Sequence, residues 1–169
     1  MGSEMNIQGN GNQVILHADQ VQQKQESPLD HSLRMAELID KVHTLFQERQ
    51  ALLSEKKEGY TMKVAETQLQ MKRLLLEIDE MACFQKLSQA QNRLLAEISG
   101  EMLYEDYARK YWGRVFEDEF PFPELEAEYY RRYAQYLYDN GHWEEGETAF
   151  EKSLSVLAND SDNKRYINS

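Results

Sequence analysis

Residues 129–160 read YYRRYAQYLYDNGHWEEGETAFEKSLSVLAND and carry the clearest structural pattern in the chain. Apolar and aromatic side chains recur at helical spacing on both sides of Asp139-Asn140-Gly141, which has the composition of a turn. The second segment carries Gly146 and Ser153 at positions where two helices must approach closely, and Phe150 lies between them. The pattern predicts two tightly packed helices, with Phe150 filling the gap beside the small residues.

The same region resembles one tetratricopeptide repeat, over residues 127–160. The resemblance rests on eight positions at the spacing of that helix-turn-helix unit: Tyr130, Ala134, Leu137, Gly141, Gly146, Phe150, Ser153 and Leu154. It implies a helical module that binds another polypeptide. Because such arrays usually need about three stacked units for stability, it also implies that other helices of the chain, or another protein's repeats, cover this hairpin.

A long helix is predicted further upstream. Ser27, Pro28 and Asp30 supply an N-cap, a proline at the first helical position and an acidic residue in the first turn. A helix from Pro28 to Lys57 is about 45 Å long at a rise of about 1.5 Å per residue. Gly59 is placed to end it.

From Thr61, apolar residues continue at helical spacing as far as Ile98. They predict a second long helix that folds back on the first, so that residues 28–99 form a long helical hairpin. The fold class is therefore all-α, with long antiparallel helices in a bundle or coiled-coil-like pair.

Residues 100–160 are predicted to form an aromatic helix followed by the repeat-like hairpin. FPFPE, residues 120–124, should be extended, and Pro123 is placed to begin the next helix. Residues 161–169 are expected to form a frayed tail.

The charge of the chain limits the classes of partner. Its formal net charge is -11 and its sequence pI is about 4.8. Phosphate groups are repelled by such a surface, so nucleic-acid binding is not expected. Between Glu97 and Glu151 there are fifteen acidic residues against five basic ones. A local field of this sign favours a basic protein partner.

The sequence also bears on location. It has no run of eighteen apolar residues and no signal-peptide pattern at its start, which predicts a cytoplasmic protein that does not enter membranes. Cys83 is the only cysteine, and its apolar neighbours predict a small buried side chain inside a helix.

The first 27 residues are rich in Asn, Gln and Gly and are predicted to form an extended, flexible arm. Within it, IQGNGNQV, residues 7–14, resembles the core of RIP homotypic interaction motifs and bacterial amyloid-signalling tracts. Asn and Gln side chains can form ladders between identical stacked strands. The resemblance implies homotypic assembly through Ile7, Gln8, Gly9, Asn10, Asn12 and Val14.

No residue pattern typical of catalysis or metal binding is present in the sequence. The four histidines, His17, His31, His43 and His142, have no partner at metal-ligand spacing. GNGN, residues 9–12, lacks the Lys and Ser or Thr of a phosphate-binding loop. With no nucleophile and base pair either, we expect neither an enzyme nor a cofactor.

The leading hypothesis is therefore a non-catalytic protein-protein interaction adaptor in bacterial signalling or defence, able to form homo-oligomers through its arm. The candidate partner-binding residues are the aromatic side chains Tyr104, Tyr107, Tyr111, Trp112, Tyr129, Tyr133 and Trp143. Two alternatives remain open: a coiled-coil protein with a structural, oligomerising role, and an acidic inhibitor that mimics DNA.

Overall fold

The computed structural model describes residues 27–168, and for residues 163–168 it describes the backbone alone. This part of the chain forms six helices and no strand, which confirms the predicted all-α class. The helices are α1 (Pro28–Glu55), α2 (Tyr60–Met81), α3 (Gln89–Glu101), α4 (Glu105–Val115), α5 (Pro123–Asp139) and α6 (Trp143–Asn168).

The predicted start of α1 is confirmed in detail. The Asp30 amide donates a hydrogen bond to the Ser27 hydroxyl at 3.2 Å, and the Ser27 amide donates to the Asp30 carboxylate at 3.3 Å. This reciprocal capping box satisfies two amides that the helix itself leaves free. The helix ends at Glu55, and Lys56 follows in the left-handed conformation.

The prediction of one continuous helix from Thr61 to Ile98 is wrong. The helix stops at Met81, and α3 begins after Ser88, whose hydroxyl accepts from the Gln91 amide at 3.1 Å. The Gln91 side chain in turn accepts from the Ser88 amide at 2.9 Å. This second capping box begins a new helix with a new direction. Cys83 lies in the connection and is exposed, so its predicted burial is also wrong.

The six helices pack as three consecutive hairpins. α1 packs on α2, α3 on α4 and α5 on α6, and α3 also contacts both α1 and α5. The first helices of the three hairpins therefore lie next to one another, with α3 in the middle. One continuous core runs through all of them, and fully buried side chains include Val42, Leu75, Leu95, Val115 and Leu137.

The last hairpin has the predicted turn and the predicted close packing. Gly141 has a φ of 81° and ends the turn after α5. A Cβ atom on Gly146 would lie 3.1 Å from Tyr138 Cδ1 and 3.3 Å from the carbonyl oxygen of Ala134. The absence of a side chain at Gly146 is thus what lets α5 and α6 approach so closely.

Two predictions about this region are wrong. Phe150 does not fill a gap in the hairpin, because 43% of its surface is exposed. The chain after Asp160 is not a frayed tail, since α6 continues to Asn168. The extended segment before α5 is confirmed: Phe122 has φ −156° and ψ 152°, and Pro123 is the first residue of the helix.

Candidate functional site

A groove of about 760 Å³ runs across the aligned first helices α1, α3 and α5. Each hairpin contributes one helix to its walls. The apolar floor consists of Phe46 from α1, Leu94 and Ile98 from α3, and Trp112 and Tyr136 beneath them. A site built in this way exists only when all three hairpins are stacked.

Aromatic packing holds the floor in place. The Trp112 ring is fully buried, and its centroid lies 5.4 Å from that of Tyr133 and 6.1 Å from that of Phe116. Phe116 stacks on Tyr130 at 4.3 Å. These contacts join α4 to α5, so the floor is a rigid part of the core.

One glycine sets the distance between α3 and α5. A Cβ atom on Gly100 would lie 3.0 Å from Cδ2 of the Tyr136 ring and 3.3 Å from its Cε2. The ring therefore packs directly on the helix backbone of α3. Gly100 and Tyr136 both line the groove, so this contact also shapes its surface.

The groove walls carry a net negative charge. Glu97, Glu101 and Asp139 line it, whereas Arg132 is the only Lys or Arg among the lining residues. Arg132 already donates to Glu97 at 2.9 Å and to Glu128 at 3.0 Å. Its charge is thus matched within the protein, and the remaining acidic groups favour a positively charged ligand.

Leu103, at the edge of the groove, has an unusual backbone. Its φ is 60°, in the left-handed region, and 78% of its surface is exposed. Its amide donates to the Gly100 carbonyl at 3.1 Å, and the Tyr104 amide donates to the Ser99 carbonyl at 2.9 Å. These two bonds form a Schellman motif, in which the left-handed position is usually a glycine. A leucine here adds backbone strain and leaves an apolar side chain exposed to solvent.

The sequence-based set of partner-binding aromatic residues does not form one surface. Tyr111, Trp112 and Tyr129 are buried in the core, which corrects the expectation that they contact a partner directly. Tyr104, Tyr107 and Tyr133 are half-buried between helices, and Trp143 is exposed on α6. Of the seven, only Trp112 lines the groove. The predicted assembly residues of the arm lie outside the described residues.

Tyr104 and Tyr111 instead join the second hairpin to α2. The Tyr111 hydroxyl donates to the Asp79 carboxylate at 3.2 Å, and Lys110 forms an ion pair with the same carboxylate. Burial, together with the nearby Asp79 charge, raises the pKa of Tyr111 far above that of a free tyrosine. The hydroxyl therefore stays protonated and keeps donating, which fixes the first hairpin on the second.

Sequence reasoning missed both the groove and Leu103. No local signal marks the groove, because its residues come from three separate hairpins. A leucine after a helix end does not reveal a left-handed backbone.

No protein family profile matches the chain, and comparison with curated proteins and with solved structures gives no match either. Between residues 27 and 168, none of the helices combines the length and the hydropathy that crossing a membrane requires.

Proposed function

We propose that this chain is a non-catalytic protein-interaction adaptor that binds a basic polypeptide segment of a partner in the groove across α1, α3 and α5. The observation that carries the proposal is Leu103, an exposed apolar side chain held in a strained conformation at the edge of an acidic groove. Strain of this kind tends to be retained at sites where it serves binding.

Energetics favour a binding role for this side chain. A left-handed conformation costs a non-glycine residue about 1–2 kcal/mol, and the exposed Leu103 side chain recovers little of that in the free protein. Complete burial of a leucine contributes about 1.5–3 kcal/mol. A ligand that covers Leu103 therefore gains free energy of the same order as the strain.

The ligand class follows from the charge and the lining. Glu101 and Asp139 favour lysine and arginine, while Phe46, Leu94 and Leu103 favour apolar side chains between them. A segment with both, such as a basic and partly apolar peptide, meets these requirements.

The test begins with a peptide-display selection on the immobilised full chain, followed by calorimetry with the selected peptides. We expect net positive peptides, bound at least about tenfold more weakly after Leu103→Ala, because each tenfold is about 1.4 kcal/mol of lost burial. Leu76→Ala is the matched control, since Leu76 is an exposed leucine on α2. A selection in which no basic peptide is weakened by Leu103→Ala, or in which only acidic peptides are recovered, would rule the groove out.

We further propose that Ile7 to Val14 mediate homotypic assembly, which would place the adaptor in bacterial signalling or defence. This part is supported by the sequence resemblance of the arm. A fibril-binding dye should respond to the intact chain and not to its Gly9→Asp variant. Light scattering separates the alternative: a stable trimer or tetramer that survives removal of the first 27 residues indicates a structural oligomer instead.

A further inference from the structure

The outward side of α6 carries an uncovered row of apolar side chains. Trp143, Phe150, Leu154 and Leu157, here called the apolar stripe, are 66%, 43%, 53% and 39% exposed. Trp143, Phe150 and Leu157 are seven residues apart, and Leu154 follows Phe150 by four, so all four lie on one side of the helix. The stripe is separate from the groove, whose walls include no residue of α6.

Its position follows from the packing of the last hairpin. Gly146 and Ser153 face α5 and are buried, with Gly146 against Tyr138 and Ala134. The stripe lies next to this buried face and turns away from α4, to which Glu145 is bound through Arg109 at 3.2 Å. No helix of the described chain packs against the stripe as α5 packs against the glycine side.

An acidic row borders the stripe on one side. Glu144, Glu147 and Glu151 are spaced by three and four residues, and all three are exposed. Glu147 and Glu151 form no ion pair with any residue of the described part of the chain. The surface is thus apolar along its centre and negative along one edge.

We propose that the apolar stripe docks an amphipathic helix of another protein, one that carries lysine or arginine along one edge of its apolar face. From Trp143 to Leu157 the stripe is about 21 Å long at about 1.5 Å per residue, which matches a partner helix of about fifteen residues. Salt bridges from that basic edge to the acidic row set the direction in which the helix lies.

Charge disfavours two other occupants, the chain's own arm and a second copy docked antiparallel. The chain's own N-terminal arm, residues 1–26, has three acidic residues and one lysine, so the acidic row repels it. A second copy docked about a two-fold axis with the two α6 helices antiparallel places like edge beside like edge, and the two acidic rows meet. A basic helix avoids both conflicts. With a ligand in the groove and a second on the stripe, the chain would join two proteins.

The experiment uses the full chain and three synthetic 18-residue peptides: an amphipathic helix of Leu, Ala and Lys with its lysines along one edge, the same helix with Glu for Lys, and a scrambled Lys sequence. Binding is measured by calorimetry and by the blue shift of Trp143 emission. We expect the first peptide alone to shift the Trp143 emission, with one peptide bound at the stripe per chain. Leu154→Asp should weaken it by about 10–100-fold, the equivalent of losing one buried leucine.

A charge reversal at Glu147 and Glu151 provides the second test. Both side chains are exposed, so we expect the substitutions to leave the fold intact. At the stripe, the variant with Glu147→Lys and Glu151→Lys should bind the Glu peptide and reject the Lys peptide, as read from the Trp143 emission. Leu103→Ala should leave this emission shift unchanged, so failure at the stripe and failure at the groove are distinguishable. An equal shift of the Trp143 emission with the scrambled peptide, or no shift with any peptide, overturns the proposal. So does a Trp143 already shielded from acrylamide quenching in the free chain, because the arm or a second copy then covers the stripe.

Discussion

Replacing Gly100 by alanine tests the closeness of α3 and α5, on which the shape of the groove depends. The added methyl group would lie 3.0 Å from Tyr136 Cδ2, a distance that real contacts do not tolerate without movement. Tyr136 is almost fully buried, so its ring must shift within a packed region. Gly113→Ala in α4 is the matched control, because nothing lies within 4 Å of the new methyl group there.

Two terms of opposite sign set the magnitude. Alanine gains about 0.5–1 kcal/mol over glycine inside a helix, and both variants share that gain. Overpacking of a buried site costs about 1–3 kcal/mol, and only Gly100→Ala incurs it. We therefore expect Gly113→Ala to stabilise the protein by up to about 1 kcal/mol, and Gly100→Ala to destabilise it by about 0.5–2 kcal/mol.

The assay is urea unfolding monitored by circular dichroism. When the m value is unchanged, a shift of the midpoint reports the change in stability directly. The difference between the two variants cancels the shared helix term and isolates the contact with Tyr136. It should be about 1–3 kcal/mol. Equal stabilisation by both substitutions would show that α3 and α5 do not meet at this glycine. The groove would then not have the shape described above.

Three further predictions concern the helix ends and the surface ion pairs. Leu103→Gly should stabilise the protein by about 0.5 kcal/mol, because the relief of the left-handed strain exceeds the cost of the chain entropy that glycine adds to the unfolded state; a loss of stability would contradict the strain. Ser88→Ala should cost about 1 kcal/mol, because it removes the cap of α3, and an unchanged midpoint would show that the cap is dispensable. The pKa of Glu105 is lowered by His142 and then Arg109, and the pKa of Glu145 is lowered by Arg109. Because the folded-state pKa values lie below the ordinary 4.5, the stability that these ion pairs contribute is present above that pH and is lost as the pH falls through the lowered pKa values. Unfolding midpoints measured from pH 7 downward should therefore fall less steeply in Glu145→Gln than in the unchanged protein. Identical slopes would argue against these pairs.

Local chemistry made part of the fold predictable. The start of α1 was predicted from Ser27, Pro28 and Asp30, and the turn after α5 was predicted from Asn140 and Gly141. Each of these residues acts on backbone groups within four positions of it, so no knowledge of distant contacts is needed.

The break after Met81 had two signals in the sequence. Ser88 and Gln91 have the spacing of a capping box. Leu87 follows the buried Ile78 by nine residues, about two and a half helical turns, so the apolar residues change sides between α2 and α3. The prediction of one continuous helix overlooked both.

The candidate site was beyond local reasoning for a different reason. Burial of Tyr111 and Tyr129 and exposure of Phe150 depend on which helices lie beside them, and that is a property of the stacked hairpins. Aromatic side chains at helical spacing look the same in sequence whether they face a neighbour or solvent.

The central place of α3 has a mechanical consequence. It contacts both α1 and α5, and together with α4, which contacts α2 and α5, it transmits any rotation of one end of the molecule against the other. Because each hairpin contributes one wall of the groove, a small change in the tilt of α3 widens or narrows the whole groove. A ligand bound in the groove would restrict the movement of the three hairpins relative to one another. A force that pulls the two ends of the protein apart would in turn weaken binding of that ligand.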